Sequence, residues 1–230
     1  LSVWQLKPHH QLAIFEAGIS QPDEMERLEK VIQPTLGVLT NIGTAHSEGF
    51  VSLAEKENEK RKLFRSAPLA PALQLNQVTI QNGFATLEAT GSLLQEGGSI
   101  TIPFTDQASI QNALRCWEVL LALGIPMAVI TARMKKLTAV DMRLHLKKGI
   151  NNCQLINDAY SADLSSLEIA LTFLKQQGGS LKRTVILSDF LESGELDAEL
   201  YAQIALLLQQ VSVHRLITIG PRIGSAFTTL

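Results

Sequence analysis

The sequence predicts an α/β fold with mostly parallel sheets, and two observations lead to that prediction. Near the start of the chain, the apolar run QLAIFEAG, the amphipathic stretch SQPDEMERLEKVIQP and the apolar run TLGVLTN follow one another. Beyond residue 150, helical patterns separate the apolar runs NCQLIND, RTVILSD and RLITIG. A strand, a helix and a strand within about thirty residues form a βαβ unit, whose parallel strands are joined by a right-handed crossover.

Between these two regions the pattern changes. The stretches QVTIQNGFATLEAT and GSITIPF predict antiparallel strands, because Asn82-Gly83 is a dipeptide typical of a tight hairpin turn. Gly124 and Pro126 mark the end of one helix and the start of the next. Helices are predicted at 20–34, 52–64, 109–123, after residue 126, at 164–177 and at 197–211.

A change in composition near KKLTAVDMR predicts a boundary between two domains. The first domain would span residues 1–138 and the second residues 144–230, with a short hinge between them that contains Arg143. A chain of 230 residues is long enough for two such domains. We therefore expect two α/β units, each with its own core.

The composition is that of an ordinary globular protein, with 46% hydrophobic and 18% charged residues. The formal net charge of −2 and the lack of a basic stripe argue against a nucleic-acid surface. The sequence contains no apolar run of about 18 residues and no signal-peptide pattern, so a cytoplasmic location is expected. Cys116 and Cys153 form no CxxC pair and are expected to be core thiols.

Polar residues gather where the first two apolar runs end. Glu16 closes the first run, and Asn41, His46 and Glu48 follow the second, in LGVLTNIGTAHSEGF. Taken singly, these residues could be a strand-end acid, a capping group and a solvated carboxylate. Ligands gather at the carboxyl ends of parallel strands, however, and carboxylates with an imidazole could hold Mg²⁺ beside an anionic substrate.

The charged stretch SLAEKENEKRKLF contains a lysine on its apolar face. Leu53, Leu63 and Phe64 form that face, and helical spacing places Lys60 on it. Its ammonium group could extend outward to solvent while the stem packs, or it could be held near a site. The periodicity leaves both interpretations open.

Several separated motifs resemble the Mur ligases. They are FEAGISQPDEMERLEKVIQPTLGVLTNIGTAHSEGF, SLAEKENEKRKLF, MRLHL and INDAYSADLSSLEIAL. Their order from about residue 12 to residue 220 is similar to the central and C-terminal domains of the family members that add D-alanyl-D-alanine. The fold implied is a partial central ATPase domain with a mostly parallel sheet, followed by an incomplete Rossmann-like ligase domain. NIGTAHSEGF with EKRKLF is most similar to the variant fused to alanine racemase.

The resemblance implies a role for individual residues. Glu16 and His46 match Mg²⁺-site residues, and Asn41 matches the asparagine beside the metal. Lys60 matches a lysine that takes up CO₂ to become a carbamate, whose oxygen can bind Mg²⁺ where an ammonium group would repel it. Lys56 matches no family position, and its replacement is expected to matter much less. Positions that contact the nucleotide are matched by Asn112, Arg143 and Asp158.

The activity implied is an ATP- and Mg²⁺-dependent ligation in peptidoglycan synthesis, and thus in cell wall formation, cell shape and cell division. UDP-MurNAc-tripeptide would be phosphorylated on its carboxylate, and the amino group of D-Ala-D-Ala would displace the phosphate. Lys60, His46 and Asn41 would be the catalytic residues. A racemase domain fused outside this chain is expected as a possible further partner.

The sequence also departs from the family pattern. Ala108-Ser109 replaces the usual His-Asn, and YSAD at 160–163 replaces Tyr-Asn-Ala-Asn. No G-x-x-x-x-G-K-[ST] phosphate loop occurs in the 230 residues, so the chain by itself is expected to be inactive. Two alternatives therefore stay open, a ligase similar to folylpolyglutamate synthetase and a non-catalytic nucleotide-binding module.

Overall fold

The computed structural model describes residues 2–40, 42, 49–65, 67–68, 72–160, 162–191 and 196–229. Within these residues the helices are α1 (Glu24–Ile32), α2 (Leu53–Arg61), α3 (Gln107–Ala122), α4 (Met127–Met134), α5 (Leu164–Gly178), α6 (Asp197–Gln210) and α7 (Pro221–Thr229). The strands are β1 (Gln74–Gln81), β2 (Phe84–Gly91), β3 (Leu94–Ile102), β4 (His145–Lys148), β5 (Gln154–Asn157), β6 (Thr184–Ser188) and β7 (Arg215–Ile219). None of the described helices is both long and apolar enough to cross a membrane.

The first hydrophobic core lies between an antiparallel sheet and two helices. Strands β1, β2 and β3 pair in that order, and the turn between β1 and β2 has positive φ angles at Asn82 (52°) and Gly83 (79°). Both angles are those that a type I′ hairpin requires, which confirms the prediction from Asn-Gly. Helices α3 and α4 cover the sheet, and Trp117 lies fully buried in this core.

The second hydrophobic core is built from α5, α6, α7 and the parallel pair β6–β7. Tyr201 is 1% exposed, and its ring makes edge-to-face contacts with Phe190 and Phe227. Asp189, at the end of β6, accepts hydrogen bonds from the first backbone amides of α7, at Arg222 and Ile223. The carboxylate thereby satisfies amide groups that a helix start leaves without partners.

Two predicted strand arrangements are wrong in detail, although the α/β class is confirmed. Residues 11–19 form no strand, and within the described part of 35–41 only Gly37 makes an isolated bridge. The parallel ladder expected for the first βαβ unit is therefore not formed by the described residues. Strand β5 pairs antiparallel with β4 and does not join β6 and β7. Apolar runs identify segments that can adopt an extended conformation, whereas a strand also needs a neighbouring strand to accept and donate its backbone hydrogen bonds.

The two cysteines also differ from expectation. Both Cys116 and Cys153 are exposed rather than buried in a core. Cys116 lies on the outer side of α3, whose inner side carries Ala113, Leu114 and Trp117. Spacing along the helix, rather than residue type, decides which side of α3 is covered.

We expect isoleucine truncations in the first sheet to differ sharply. Ile102 is 0% exposed, whereas Ile80 in the same sheet is 57% exposed. Ile102→Ala should lower the free energy of unfolding by about 2–5 kcal/mol, because it leaves a cavity. Ile80→Ala should change it by less than about 0.5 kcal/mol. Denaturant titration followed by Trp117 fluorescence measures both, and equal effects would contradict this description of the core.

Candidate active site

Helix α2 buries charge rather than apolar side chains. Its first turn is capped by Ser52, whose hydroxyl accepts a hydrogen bond from the Glu55 amide at 3.1 Å. Lys56 is 2% exposed and Glu59 is 4% exposed, whereas Leu53 is 50% exposed. The predicted apolar face through Leu53 is therefore wrong. A charged inward face has little value for packing and is typical of a functional surface.

The lysines of α2 are placed differently from the expectation. Lys60 is half-buried, and Lys56, one turn earlier on the same side, is almost completely covered. Burial lowers the pKa of Lys56, the nearby Lys60 lowers it further, and the Asp163 carboxylate acts in the opposite direction. Lys56 thus belongs to the charged surface, and its replacement cannot be regarded as harmless.

Asp163 is fixed at the start of α5. One carboxylate oxygen accepts hydrogen bonds from the Ser166 amide at 2.9 Å and the Ser165 hydroxyl at 2.6 Å. The other accepts from the Ser166 hydroxyl at 2.6 Å. Burial alone would raise the pKa of Asp163, but the hydrogen bonds from Ser165 and Ser166 outweigh it and hold the pKa below its usual value. Asp163 is therefore a rigidly oriented anion.

Asp158 and Arg143 lie together beside the expected hinge. Asp158 accepts a hydrogen bond from the Leu144 amide at 2.9 Å, and the Arg143 guanidinium lies 3.8 Å from the centre of the Tyr160 ring. Burial raises the pKa of Asp158; the Leu144 amide and Arg143 oppose that shift, and the carboxylates of Asp163 and Asp106 add to it. An exposed cation on an aromatic ring offers a flat, positively charged surface.

Helix α3 brings a third acid toward this group. Asp106 is 6% exposed and accepts a hydrogen bond from the Ser109 amide at 2.8 Å, so it caps the helix. Asn112 is the sixth residue of α3, and its side chain is exposed. Asp106, Asp158 and Asp163 therefore come from separate parts of the chain and interact electrostatically.

We call the group formed by Lys56, Lys60, Asp106, Asp158 and Asp163 the charged cluster. Electrostatic interactions link α2, and α3 of the first core, to the start of α5 beside the second core. Several charges of both signs that are partly withdrawn from water are typical of an active site. The charged cluster therefore offers charges of both signs with which a charged ligand could interact.

The predicted metal residues are only partly described. Glu16 lies exposed in an extended segment, and Asn41, His46 and Glu48 lie outside the described residues. Among the residues that the structure does describe, no three His, Cys, Asp or Glu side chains are grouped closely enough to hold a metal ion. The carboxylate of Glu16 and a carbamate on Lys60 have the oxygen donors that suit Mg²⁺, so the residue types fit the ion.

Comparison with known proteins identifies the family. Residues 2–115 match the Mur ligase middle domain. The chain is 24% identical to the UDP-N-acetylmuramoyl-tripeptide–D-alanyl-D-alanine ligase of Haemophilus influenzae, with 96% of this chain and 54% of that protein covered. The chain belongs to the Mur ligase family.

Other relatives agree with this assignment. The corresponding ligase of Bacillus subtilis is 23% identical, with 96% of this chain and 53% of that protein covered. The crystal structure of MurF from Acinetobacter baumannii superposes with a TM-score of 0.80 at 19% identity, over 96% of this chain and 55% of that one. This Mur ligase chain therefore has the MurF fold, and it spans about half the length of the curated relatives it matches.

Sequence reasoning missed two members of the charged cluster. Lys56 lies three residues after Leu53 and four before Lys60, so helical spacing places it on the same side of α2 as Lys60, a signal that was overlooked. Asp106 precedes α3 and was not singled out from other helix-capping residues. Asp163 was visible only as a departure from the Mur ligase pattern. These residues interact because α2, α3 and α5 come close to one another in the fold. A local sequence pattern does not show which distant helices come together.

We expect Asp158→Asn to change stability in a pH-dependent way. Because burial raises the pKa of Asp158 above its ordinary value of 3.8, the native state favours the protonated form. That contribution to stability is fully present below pH 3.8 and is lost as the pH rises through the raised pKa. The variant should therefore gain stability relative to wild type across that interval, as measured by urea denaturation at a series of pH values.

Asp141→Asn provides the matched control. Hydrogen bonds from Lys147 and His145 lower the pKa of Asp141, so its contribution is present at neutral pH and is lost as the pH falls through the lowered value. The two variants should differ from wild type with opposite pH slopes. Equal slopes would contradict the environment described for Asp158.

Proposed function

We propose that the protein containing this chain is an ATP-dependent ligase that joins D-alanyl-D-alanine to UDP-MurNAc-tripeptide in peptidoglycan synthesis. The observation that carries the proposal is similarity along 96% of the chain to relatives that bear this activity in their names. The charged cluster supports it, because a reaction between a nucleotide, a carboxylate and an amine needs positioned charges of both signs.

We further propose that residues 1–138 form a central nucleotide-binding domain and residues 144–230 a C-terminal ligase domain. The separate hydrophobic cores support this division. Met142 and Leu144, on either side of Arg143, have positive φ angles of 60° and 47°. Left-handed backbone at two large residues is uncommon and produces a sharp change of chain direction. Such a link is well placed to act as the hinge of two domains that close around ATP.

Different residues of this chain are proposed to bind the nucleotide and the Mg²⁺ ion. Asn112, Arg143 and Asp158 are proposed to contact the nucleotide, and the exposed Arg143–Tyr160 pair gives that surface a planar cation. Glu16, His46 and a carbamate on Lys60 would hold Mg²⁺, which neutralises phosphate charge when it is bound. Asn41 would orient groups beside that site.

The proposed reaction has two balanced steps. A substrate carboxylate oxygen forms a bond to the γ-phosphorus of ATP, and ADP leaves. The amine of the dipeptide then bonds to the acyl carbon, inorganic phosphate leaves with the electron pair of the broken bond, and the nitrogen loses a proton. The described residues would hold both substrates in reach of each other, which is a large part of the acceleration in such reactions.

The function is tested by product formation in the full-length protein. ADP and phosphate should be released only when UDP-MurNAc-tripeptide and D-Ala-D-Ala are both present, and mass spectrometry should detect the pentapeptide product. Turnover with a folate and glutamate instead would favour the folylpolyglutamate synthetase alternative. ATP binding without any ligation would favour the non-catalytic module. The 230-residue chain by itself is expected to give no turnover.

Lys60→Ala tests the proposed carbamate. In the full-length protein, activity should fall about a hundredfold or more, because an electrostatic group of the reaction is removed. Acetate should restore part of the activity by supplying a carboxylate in the space that the shortened side chain leaves. Failure of rescue together with unchanged metal dependence would exclude the carbamate.

Arg61→Ala is the matched control for this variant. Arg61 is exposed on the same helix and pairs with Glu57 one turn away at 2.6 Å. Exposed pairs of this kind contribute little, so activity should stay near wild type and should not respond to acetate. Lys56 is unsuitable as the control because it is buried. A cytoplasmic location and a fused racemase domain stay predictions that the full-length gene product can test.

A further inference from the structure

We propose that Lys62 is a positioning residue, and that its side chain fixes the end of α2, which carries Lys60, against the start of α1. The reaction proposed above assigns no step to Lys62. The consequence for the metal site rests on the proposed ligase function, whereas the contacts of Lys62 belong to the fold and can be tested without activity.

Lys62 follows the last residue of α2 and contacts two carboxylates from different parts of the chain. Its ammonium group lies 2.5 Å from Oε2 of Glu59, on the last turn of α2, and 3.1 Å from Oδ1 of Asp23, 39 residues earlier in the sequence. Glu59 is 4% exposed, and its Oε1 atom is buried without a hydrogen-bond partner among the described residues. A buried carboxylate that loses its counter-charge is costly, so Glu59 holds the Lys62 ammonium group in place.

Asp23 belongs to a turn that is fixed to α1. Its φ angle of 66° lies in the left-handed region, and Glu24, the next residue, begins the helix. Oε2 of Glu24 accepts hydrogen bonds from the Ser20 amide at 2.7 Å and the Gln21 amide at 2.9 Å. The turn therefore moves together with α1. Through Asp23, the ammonium group of Lys62 joins the start of α1 to the end of α2.

Further contacts lie beside this connection. Arg65 Nη1 lies 3.6 Å from Oε2 of Glu26 in the first turn of α1. The Phe64 ring occupies the space in which a side-chain carbon at Gly37 would lie, and the Gly37 amide donates a hydrogen bond to the Pro68 carbonyl at 2.9 Å. Residues 62–65 therefore pack against α1 and against the chain at residue 37, and Lys62 supplies the polar part of that packing.

Two of the residues proposed to hold Mg²⁺ lie close in sequence to the contacts of Lys62. Lys60 precedes Lys62 by two residues, and Glu16 precedes Ser20, in the turn before α1, by four. The spacing between the start of α1 and the end of α2 therefore influences the spacing between the Glu16 and Lys60 side chains. Lys62 would set this spacing without binding the ion itself.

The connection is tested by hydrogen exchange at residues 24–32 of the full-length protein. Asp23→Asn removes the charge at the exposed end, leaves the contact between Lys62 and Glu59 intact, and suits the left-handed backbone. Exchange should become about threefold faster, since an exposed ion pair is weak. Lys62→Met should accelerate exchange about tenfold, because Glu59 also loses its counter-charge. The double variant should exchange no faster than Lys62→Met, because the contact with Asp23 is lost only once.

Arg61→Met is the matched control. Arg61 precedes Lys62 but pairs with Glu57 inside α2, so exchange in α1 should stay at the wild-type rate. The connection is refuted if Asp23→Asn exchanges like wild type, if Arg61→Met accelerates exchange equally, or if the two effects multiply in the double variant. Should Lys62→Met fail to fold, Asp23→Asn alone decides, since Asp23 is exposed.

Metal binding tests the positioning role. Mn²⁺ binding to the full-length protein with a non-hydrolysable ATP analogue can be followed by electron paramagnetic resonance. Lys62→Met should weaken it about tenfold, the order expected when a residue that orients metal ligands is removed. Lys62→Arg, which keeps the charge, should restore most of the affinity, and Arg61→Met should bind Mn²⁺ like wild type.

The possible results separate this inference from the proposed function. Faster exchange in α1 with unchanged Mn²⁺ affinity would overturn the positioning role, and so would a wild-type protein that binds no Mn²⁺. A protein that binds Mn²⁺ but forms no pentapeptide product would refute the proposed ligation. The exchange and metal measurements would still decide the role of Lys62 in that case.

Discussion

The desolvation of charged groups between two apolar cores is the constraint on which the arrangement of the site depends. Lys56 and Glu59 occupy positions that in most helices would hold leucine or isoleucine. Each buried charge requires a compensating group, and Lys62 contacts the Glu59 carboxylate at 2.5 Å. Helix α2 therefore cannot be packed by hydrophobic contact alone. Its inward face needs compensating charges, one of which Lys62 supplies at the C-terminal end of the helix.

As a consequence, the residues that stabilise the fold differ from those expected to take part in function. The first core around Trp117 and the second around Tyr201 contain ordinary apolar side chains and would tolerate substitutions of similar volume. The charged cluster belongs to neither core and contributes little apolar burial. Charges that are poorly compensated cost stability, and proteins retain them where chemistry requires them. The cores thus provide rigid supports, and the region between them provides the electrostatic environment.

Local patterns were sufficient for α1 to α6 and the hairpin, but not for α7 or for the pairing of every strand. Asn82-Gly83 specified its turn, because few other residues adopt two successive positive φ angles without strain. The apolar run before Glu16 looked like a strand, yet no partner strand among the described residues completes its hydrogen bonds. Of the expected site residues, Lys60 was matched only through the family motif, and its role stays a prediction. Helical spacing places Lys56 on the same side of α2 as Lys60, but the depth of its burial depends on the segments that pack against the helix, which no periodicity can report.

The β1 edge has a consequence for solution behaviour. Strand β1 lies at the edge of its sheet, and its sequence QLNQVTIQ contains no charged side chain that would discourage another strand from adding to it. A register shift between Leu75 and Gln77 leaves Asn76 unpaired with β2 and bends the strand. This bulge hinders the addition of another strand, as charged side chains would, since a bent edge is a poor template for intermolecular pairing. Freedom from aggregation would therefore depend on a single extra residue in β1.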